Sequence, residues 1–418
     1  MRTRMTAVAL AAALALTACG RDAGGDQEDA KPVGEGKAKG EITVWAMGAE
    51  GEKLGAFAQA FSKDNPDAKV TVTAVPWDAA HQKIASAIAA KQTPDVSMIG
   101  TTWMGEFGKT GALDPTPTLF DKGDYFSGAW NTTVVDGTSY AVPWYVETRA
   151  IYYRTDLAQK AGLSKPPQTW DELKAMAKAM QQPGGAQWGF NLQPGSTGAW
   201  QSFLPFAWSN GAELVKDGKF TLDTPELVEA MAYWQSFFTD KLSPNDLPKE
   251  GALEAGFVNG SIASFISGPW HAGIIDEQGG PAIKGKYAVA AMPTKKTATS
   301  FIGGSNLAVF KDAKNRDGAW KFVQWLSRPE VQVQWFQAVK DLPAVQQAWQ
   351  DQSLSGDPML AVFGKQLQDA QAPPAVPTWE QVAAALDAEL EKVAKAGESP
   401  AAAAKAVQDK ATAIGTGA

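Results

Sequence analysis

The chain has 418 residues, of which 44% are apolar and 20% charged, a composition typical of globular proteins. At about 150 residues per domain, this length predicts two or three domains that each bury a core. The formal net charge of -7 argues against general binding of nucleic acid, since phosphate backbones attract basic surfaces.

The N-terminus has the pattern of an export signal. Arg2 and Arg4 precede an apolar run at 7–16, which is followed by Leu16-Thr17-Ala18-Cys19. A charged start, a short apolar run and small residues before a cleavage site define such signals. The run is too short to span a membrane, which takes about 20 apolar residues. A plain secretory signal with an unrelated cysteine remains an alternative to lipidation of Cys19, the one cysteine in the sequence.

Residues 20–40 contain many glycines and charged side chains and almost no apolar ones. Such a composition cannot bury enough surface to become ordered, so we expect a flexible tether.

The next hundred residues alternate between strand and helix patterns. The predicted order is a strand at 41–45, a helix across Leu54–Phe61 ended by Asn65-Pro66, a strand at 70–75, a helix capped by Asp78 and a strand at 95–99. This β-α-β-α-β order predicts a mostly parallel sheet with right-handed crossovers. Ligands of such sheets bind beyond the carboxyl ends of the strands, here the loops at 46–51, 76–78 and 100–106.

The α/β alternation then occurs a second time. Val134–Gly137 predicts a hairpin turn, and Thr169 with Glu172 matches a capping box. The remaining predictions are strands at 188–192, 261–266 and 305–310 and helices at 198–209, 224–238, 315–326, from Pro329 onward and from Thr378 to the C-terminus.

One stretch, at 141–156, places a charged pair between two apolar strand patterns. Glu147 and Arg149 lie between the runs 141–146 and 150–153, beside Trp144 and Tyr145. Charged groups are costly to bury unless they are paired or hydrogen-bonded. Two interpretations remain open: an ion pair across a sheet, or a ligand-binding crossing between two lobes.

Catalytic motifs give little support for an enzyme. The sequence lacks His-Glu-x-x-His, Cys-x-x-Cys and Gly-x-Ser-x-Gly patterns. Its two histidines, His81 and His271, are far apart and are expected at the surface or in loops. A carboxylate pair for glycoside hydrolysis remains open as an alternative function, because acidic residues are numerous.

A sugar-binding site is better supported. Sugars present apolar C–H faces that suit aromatic planes, and hydroxyls that suit charged or amide groups. The sequence has 16 tryptophans, several of them near polar residues at predicted strand ends. These groups are Glu50, Thr102 with Trp103, Trp144 and Tyr145 beside Glu147, and Trp270 after Gly268-Pro269.

Several segments in this order resemble the extracellular solute-binding proteins of ABC carbohydrate importers, the group similar to maltose-binding protein. The resemblance covers almost the whole chain after the signal, and its segments are 42–48, 94–115, 141–157, 166–173, 257–270 and 303–330. Leu16–Cys19 likewise resembles the lipobox of bacterial lipoproteins, which implies cleavage before Cys19 and its lipidation.

The family resemblance implies an α/β fold of the type II periplasmic-binding-protein class, with two discontinuous lobes that close on a ligand like a Venus flytrap, and mixed, mostly parallel sheets. The implied divisions are a signal peptide at 1–18, a tether at 19–40, lobe 1 at 41–146 and 300–343, and lobe 2 at 147–299 and 344–418. The ligand contacts implied by the resemblance are Thr102, Trp103, Glu147, Arg149, Trp270, Gly304, Ser305, Asn306 and Trp379, and the strand-end pattern adds Glu50, Trp144 and Tyr145. Arg149 is expected either to contact sugar or to brace Glu147.

The resemblance further implies a binding protein and not an enzyme, with no cofactor and no metal. It would capture an oligosaccharide, a glucoside di- or trisaccharide, and deliver it to ABC permease subunits driven by a cytoplasmic ATPase. We expect a monomer that is lipid-anchored through Cys19 at the outer face of the cytoplasmic membrane and binds no nucleic acid. A receptor for metal or amino acids is disfavoured by the two histidines and the aromatic loops.

Overall fold

The computed structural model describes residues 30–246, 249 and 251–417. The predicted signal peptide and Cys19 therefore lie outside the described residues.

Fourteen β-strands are formed within the described residues. They are β1 (Gly40–Met47), β2 (Ala68–Val75), β3 (Val96–Gly100), β4 (Val134–Val135), β5 (Thr138–Ser139), β6 (Val142–Thr148), β7 (Ala150–Arg154), β8 (Val215–Lys216), β9 (Lys219–Phe220), β10 (Ser264–Ser267), β11 (Tyr287–Ala290), β12 (Ser300–Val309), β13 (Leu342–Pro343) and β14 (Ala370–Gln371).

The same residues form seventeen α-helices. They are α1 (Gly48–Phe57), α2 (Gln59–Asp64), α3 (Trp77–Ala90), α4 (Met104–Lys109), α5 (Ser127–Asn131), α6 (Thr155–Lys160), α7 (Trp170–Gln181), α8 (Trp200–Ser209), α9 (Pro225–Thr239), α10 (Ala252–Asn259), α11 (Trp270–Gly279), α12 (Arg316–Leu326), α13 (Pro329–Val339), α14 (Gln352–Ser355), α15 (Pro358–Gln366), α16 (Trp379–Glu391) and α17 (Pro400–Ile414).

The first lobe is built on a mixed sheet with the strand order β13-β6-β12-β3-β1-β2, and β14 pairs with β12. Strand β1 is parallel to both β2 and β3, as the first half of the sequence predicts. Its alternate residues Ile42, Val44 and Ala46 are fully buried, because side chains two apart point to the same face of a strand.

The mixed character of the sheet is confirmed, but the prediction that pairing is mostly parallel is wrong. Strand β12 is antiparallel to both β3 and β6, and β13 is antiparallel to β6. The reason is topological: β12 enters lobe 1 from lobe 2, so it runs opposite to the strands that leave the first lobe.

The second lobe contains a smaller sheet, with β7 between β10 and β11 and both pairs antiparallel. Helices α7, α8, α9, α16 and α17 supply a separate core rich in aromatic side chains. This core includes the fully buried Phe203 and Trp234, whose rings meet edge to face with centroids 6.2 Å apart.

The two sheets are joined most directly at Arg149. Strand β6 ends at Thr148 and β7 begins at Ala150, so one residue separates them. The returning chain passes beside it, since the Ser300 hydroxyl donates to the Arg149 carbonyl at 2.8 Å. The lobe limits implied by the resemblance stay a prediction, although Val345, just past residue 343, still bridges to Tyr125 of the first lobe.

Part of the expected tether is held against the first lobe. The guanidinium of Arg316, the first residue of α12, donates to the Lys31 carbonyl at 2.8 Å. Gly34 N–H donates to the Asp317 carboxylate at 3.0 Å, and Ala38 is buried. The expectation of a free tether through residue 40 is therefore corrected for this part, because backbone contacts substitute for the missing apolar side chains.

Most predicted elements are present, with two corrections. Helix α3 begins at Trp77, so Asp78 lies inside the first turn and makes no side-chain cap. Residues 188–192 form isolated bridges through Trp188 and Asn191 instead of a strand. Thr169 does cap α7, whereas the Glu172 carboxylate accepts from the Gln168 N–H. Within the described residues, no helix is both long and apolar enough to cross a membrane.

Candidate functional site

The carboxyl ends of β1, β2 and β3 place an aromatic and acidic group at one edge of lobe 1. Glu50 follows β1, Trp77 follows β2 and Trp103 follows β3. The rings of Trp77 and Trp103 meet edge to face with centroids 5.7 Å apart. Trp77 also lies against Gly48, where an added Cβ would come within 2.8 Å of the indole nitrogen. The sequence predicted the loop after β2 but missed Trp77, which is 39% exposed.

A second group at this edge combines three carboxylates with a tyrosine. Glu50 accepts a hydrogen bond from Tyr145, and burial is the main cause that raises the pKa of Glu50. Burial, followed by the neighbouring Glu50 charge, raises the pKa of Asp341 to about 8. The carboxylate of Asp341 accepts from the Trp335 indole at 2.9 Å, and Glu147 adds a further negative charge nearby.

Arg149 links the crossing between the lobes to an aromatic platform. Its guanidinium lies 4.9 Å from the ring centroids of both Trp270 and Phe301. The same group donates to Glu147 at 3.2 Å and also to the Gln201 side-chain carbonyl. Because its side chain is buried, these partners replace the water that a guanidinium would otherwise bind. Arg149 therefore braces Glu147, and it also supports one face of Trp270.

Trp270 is the most exposed large aromatic residue at the cleft. It begins α11, and its side chain is 42% exposed. The ring lies over Gly268, where a Cβ would come within 1.9 Å of a ring carbon. The Arg149 guanidinium lies against one face of this indole. A cavity lined by Phe336 of lobe 1 and Leu360 of α15 also adjoins Trp270.

Two of the predicted tryptophan contacts are in cores. Trp144 is buried and stacks on Trp335 with ring centroids 4.9 Å apart. Trp379 is buried at the start of α16 and meets Trp200 edge to face at 5.3 Å. Both indoles pack against other aromatic rings in this structure, and their roles as sugar contacts stay predictions.

Gly304, Ser305 and Asn306, which were predicted as ligand contacts, lie inside strand β12. Asn306 is buried and donates to the Thr132 hydroxyl at 3.0 Å, while Ser305 donates to the Tyr145 hydroxyl at 3.3 Å. Ser305 therefore positions a cleft residue and does not itself line the surface. Thr102 lies beside Trp103 in a half-buried turn and stays a predicted contact.

The sequence missed a hydrogen-bonded chain at the lobe 2 side of the site. The Ser267 hydroxyl lies 2.5 Å from His271 Nδ1, and His271 Nε2 lies 3.0 Å from the Glu254 carboxylate. Burial lowers the pKa of His271, which outweighs the opposing effect of Glu254. Both histidines lie in helices and not in loops, since His81 belongs to α3 and pairs with Glu106 at 2.9 Å. His271 and Glu254 are 17 residues apart, so no local sequence pattern predicted their pairing.

No set of three or more His, Cys, Asp or Glu side chains in the described part of the chain is arranged to hold a metal ion.

Residues 46–333 match the family described as bacterial extracellular solute-binding protein. The chain belongs to this family. A putative binding protein of Brucella abortus (strain 2308) is 30% identical over 364 residues, which cover 85% of this chain and 88% of the relative. The diacetylchitobiose binding protein DasA of Streptomyces coelicolor is 30% identical and covers 74% of each chain.

The solved structures agree with this assignment. The sugar-binding protein MalE of Xanthomonas citri is 30% identical to this solute-binding protein, with a TM-score of 0.85 over 90% of this chain and 97% of that one. The two-lobed fold of maltose-binding-protein-like members is therefore confirmed. The family is described as extracellular solute-binding proteins, and two of the named relatives are described as binding diacetylchitobiose and sugar, respectively.

Proposed function

We propose that this solute-binding protein captures a glucoside di- or trisaccharide between its lobes and delivers it to an ABC permease driven by a cytoplasmic ATPase. The single observation that carries the proposal is Trp270, a half-exposed indole fixed from behind by the Arg149 guanidinium. A pyranose ring offers an apolar face of matching size, so stacking on the free indole face would bury apolar surface.

Polar groups near the platform suit the hydroxyls of such a ligand. Glu147 is held in place by Arg149 at 3.2 Å, and Glu50 lies across the site on lobe 1. Carboxylates accept strong hydrogen bonds from sugar hydroxyls, because a charged acceptor shortens and strengthens the bond. Groups from both lobes meet the sugar together only when the lobes close, so the ligand favours the closed state.

Membrane attachment is part of the proposal. Cys19 in its lipobox-like sequence would carry the lipid, and the protein would act as a monomer at the outer face of the cytoplasmic membrane. The named relatives are binding proteins, so the glycoside hydrolase alternative gains no support and no second function is proposed.

The proposal is tested by calorimetric titration with a panel of α- and β-linked di- and trisaccharides. We expect at least one sugar to bind, and Trp270→Ala to weaken that binding by ~1–3 kcal/mol, as for other aromatic stacking on flat ligands. Leu119→Ala, which truncates another exposed apolar residue, is the control and should leave the dissociation constant unchanged.

Two results would contradict the proposal. One is an unchanged dissociation constant in Trp270→Ala, which would remove the platform from the site. The other is turnover of an oligosaccharide that depends on a single Asp or Glu, which would favour the hydrolase.

A further inference from the structure

The cavity that adjoins Trp270 lies between the two lobes and has a volume of about 260 Å³. One wall comes from the end of α13 in lobe 1, and the other walls come from α11 and α15 of lobe 2. Lys340, on the lobe 1 side, directly precedes Asp341 of the carboxylate group near Glu50. The cavity therefore continues the proposed sugar site beyond the Trp270 platform.

The surface of this cavity is mostly apolar. The apolar residues that line it together with Trp270 are Ala272, Phe336, Met359, Leu360 and Phe363. Ala272, Met359 and Leu360 are half-buried and Trp270 is exposed, so a bound group can contact their side chains. An engineered apolar cavity of about 150 Å³ in another protein binds benzene. The present volume is therefore sufficient for a phenyl ring.

The charged side chains at this cavity already have partners in the protein. Asp276 accepts from the Tyr287 hydroxyl at 2.8 Å, and Asp357 accepts from two backbone N–H groups at the start of α15. The Lys340 ammonium lies 5.2 Å from the centroid of the Phe336 ring. A sugar ring placed here would bury hydroxyls with few partners, which costs free energy. An apolar group avoids this cost.

Each wall is held in place by its own lobe. The Lys340 N–H donates to the Phe336 carbonyl at 2.8 Å, which closes the end of α13. The Phe363 ring contacts Tyr152 of β7 with centroids 6.2 Å apart, so α15 packs on the lobe 2 sheet. Since the walls belong to different lobes, a group that fills the cavity contacts both lobes at once and favours the arrangement in which they are close.

We propose that this cavity receives an apolar aglycone, such as a phenyl ring, that is attached to the sugar stacked on Trp270. The aglycone packs on Met359 and Leu360 from lobe 2 and on Phe336 from lobe 1. The ligand is then a glycoside with an apolar group at one end. This inference rests on the proposed sugar-binding function and specifies the chemical class of the group beside the sugar.

The test compares glycosides that share a sugar and an anomeric configuration and differ only in the aglycone. The pairs are methyl and phenyl α-maltoside, methyl and phenyl β-cellobioside, and methyl and phenyl β-glucoside, each titrated by calorimetry. We expect the phenyl member of at least one pair to bind about tenfold tighter or more, because it buries more apolar surface. Its heat-capacity change on binding should also be more negative.

Phenol alone controls for adventitious binding of an aromatic ring. It should bind far more weakly than the phenyl glycoside, because only the glycoside also gains the contacts of the sugar. Phenol that binds as tightly as the phenyl glycoside would contradict the inference, since the ring would then bind independently of the sugar. None of these titrations needs a variant, so they do not depend on the folding of an altered chain.

Variants of α15 then assign the preference to the cavity. Leu360→Asn should reduce the ratio of phenyl to methyl affinity several-fold, because it replaces an apolar wall with an amide. Val362→Asn is the matched control, since Val362 is half-buried in the same helix but does not line the cavity, and it should leave the ratio unchanged. Thermal unfolding of each variant shows whether it is folded.

The outcomes separate this inference from the proposed function. If methyl glycosides bind and no phenyl glycoside binds tighter, the aglycone inference is overturned while the sugar receptor stands. That result would indicate that the walls meet each other when the lobes close. If no glycoside of this set and no sugar of the wider panel binds, the proposed function fails. A preference for phenyl that persists in Leu360→Asn would place the aglycone elsewhere and would also count against the inference.

Discussion

At the scale of single residues, Gly268 determines where the Trp270 ring can lie. Its Cα is close enough to the indole that an added Cβ would come within 1.9 Å of a ring carbon. This close approach restricts where the ring can lie, so the Gly268-Pro269-Trp270 sequence holds the indole in one position as a flat binding surface. The guanidinium of Arg149 then supports the ring from one side.

We therefore expect Gly268→Ala to displace the ring and to weaken sugar binding by about as much as Trp270→Ala, ~1–3 kcal/mol. The melting temperature should change little, because the ring is half-exposed. Calorimetric titration with the best sugar measures the effect. Gly273→Ala is the control, because Gly273 lies in α11 with Trp270 and a Cβ there would meet nothing within 4 Å. Unchanged affinity in Gly268→Ala would contradict this account.

Asp341 makes stability depend on pH. Its folded-state pKa is raised from 3.8 to about 8 by burial and by Glu50, so the folded state binds the proton more tightly than the unfolded state. The resulting stabilisation is complete below pH 3.8 and is lost as the pH rises through about 8. A neutral side chain at this position would not lose it.

Asp341→Asn should therefore gain melting temperature relative to the unaltered protein as the pH is raised from 5 to 9. The amide oxygen can still accept from the Trp335 indole, which keeps the local contact. Thermal unfolding at several pH values checks this, with the exposed Asp312→Asn as control. A difference between variant and parent that is the same at pH 5 and pH 9 would refute it.

Residue types at strand ends indicated part of the site. Glu147 with Arg149 was recognised because a charged pair interrupts two apolar runs. Trp144 and Trp270 could not be distinguished in this way, since the sequence does not show that one faces Trp335 and the other faces the cleft.

At the scale of elements, strand β12 connects the two lobes and carries an unusual glycine. Gly304 has φ of 120°, and an added Cβ would come within 2.2 Å of the Tyr145 carbonyl on the adjacent strand β6. The register of these strands also shifts between Ser305 and Asn306. Glycine here permits the close approach that places Tyr145 at the cleft.

Gly304→Ala should consequently destabilise the protein by at least ~2 kcal/mol, through the steric clash and the positive φ together. Gly111→Ala provides the matched control, since Gly111 also has positive φ but a Cβ there would meet nothing within 4 Å. It should cost ~1 kcal/mol. Urea unfolding measures both, and equal losses in the two variants would show that the clash is absent.

Most helices and strands could be predicted because the residues that start or end them lie close to them in the sequence. The cap of α7 by Thr169 and the start of α9 at Pro225 follow from side chains within one turn. The segment at 188–192 failed for the opposite reason: its apolar residues pack in lobe 2, but its backbone meets β10 only through isolated bridges. Whether a short apolar run pairs as a strand depends on neighbours distant in the chain.

At the scale of the whole molecule, the lobes are discontinuous in sequence. Strand β12 pairs with β3 and β6, which lie more than 150 residues earlier in the chain. Periodicity cannot show such pairing, so the two-lobed arrangement came from the family resemblance, and the antiparallel direction of β12 was missed. One hydrophobic cluster includes residues of both lobes, such as Val44 and Phe265, and a second lies mostly in lobe 2.

We expect the best sugar to draw the lobes together. Small-angle X-ray scattering should show a smaller radius of gyration at saturating sugar, and the melting temperature should rise with ligand concentration by mass action. Trp270→Ala should need a higher sugar concentration to reach the same compaction. A radius of gyration that is identical with and without bound sugar would contradict closure by this ligand.

The position of Arg149 between the lobes affects how the bound sugar is released. It is the single residue between β6 and β7, and its guanidinium is also the support of Trp270. Rotation of one lobe on the other must change the backbone angles at this crossing, and the guanidinium moves with them. If a permease opened the lobes, the Arg149 guanidinium would move away from the Trp270 ring while the sugar passes to the permease. Release of the sugar and opening of the lobes would then occur together. The empty binding protein would not compete with the transporter for the released sugar.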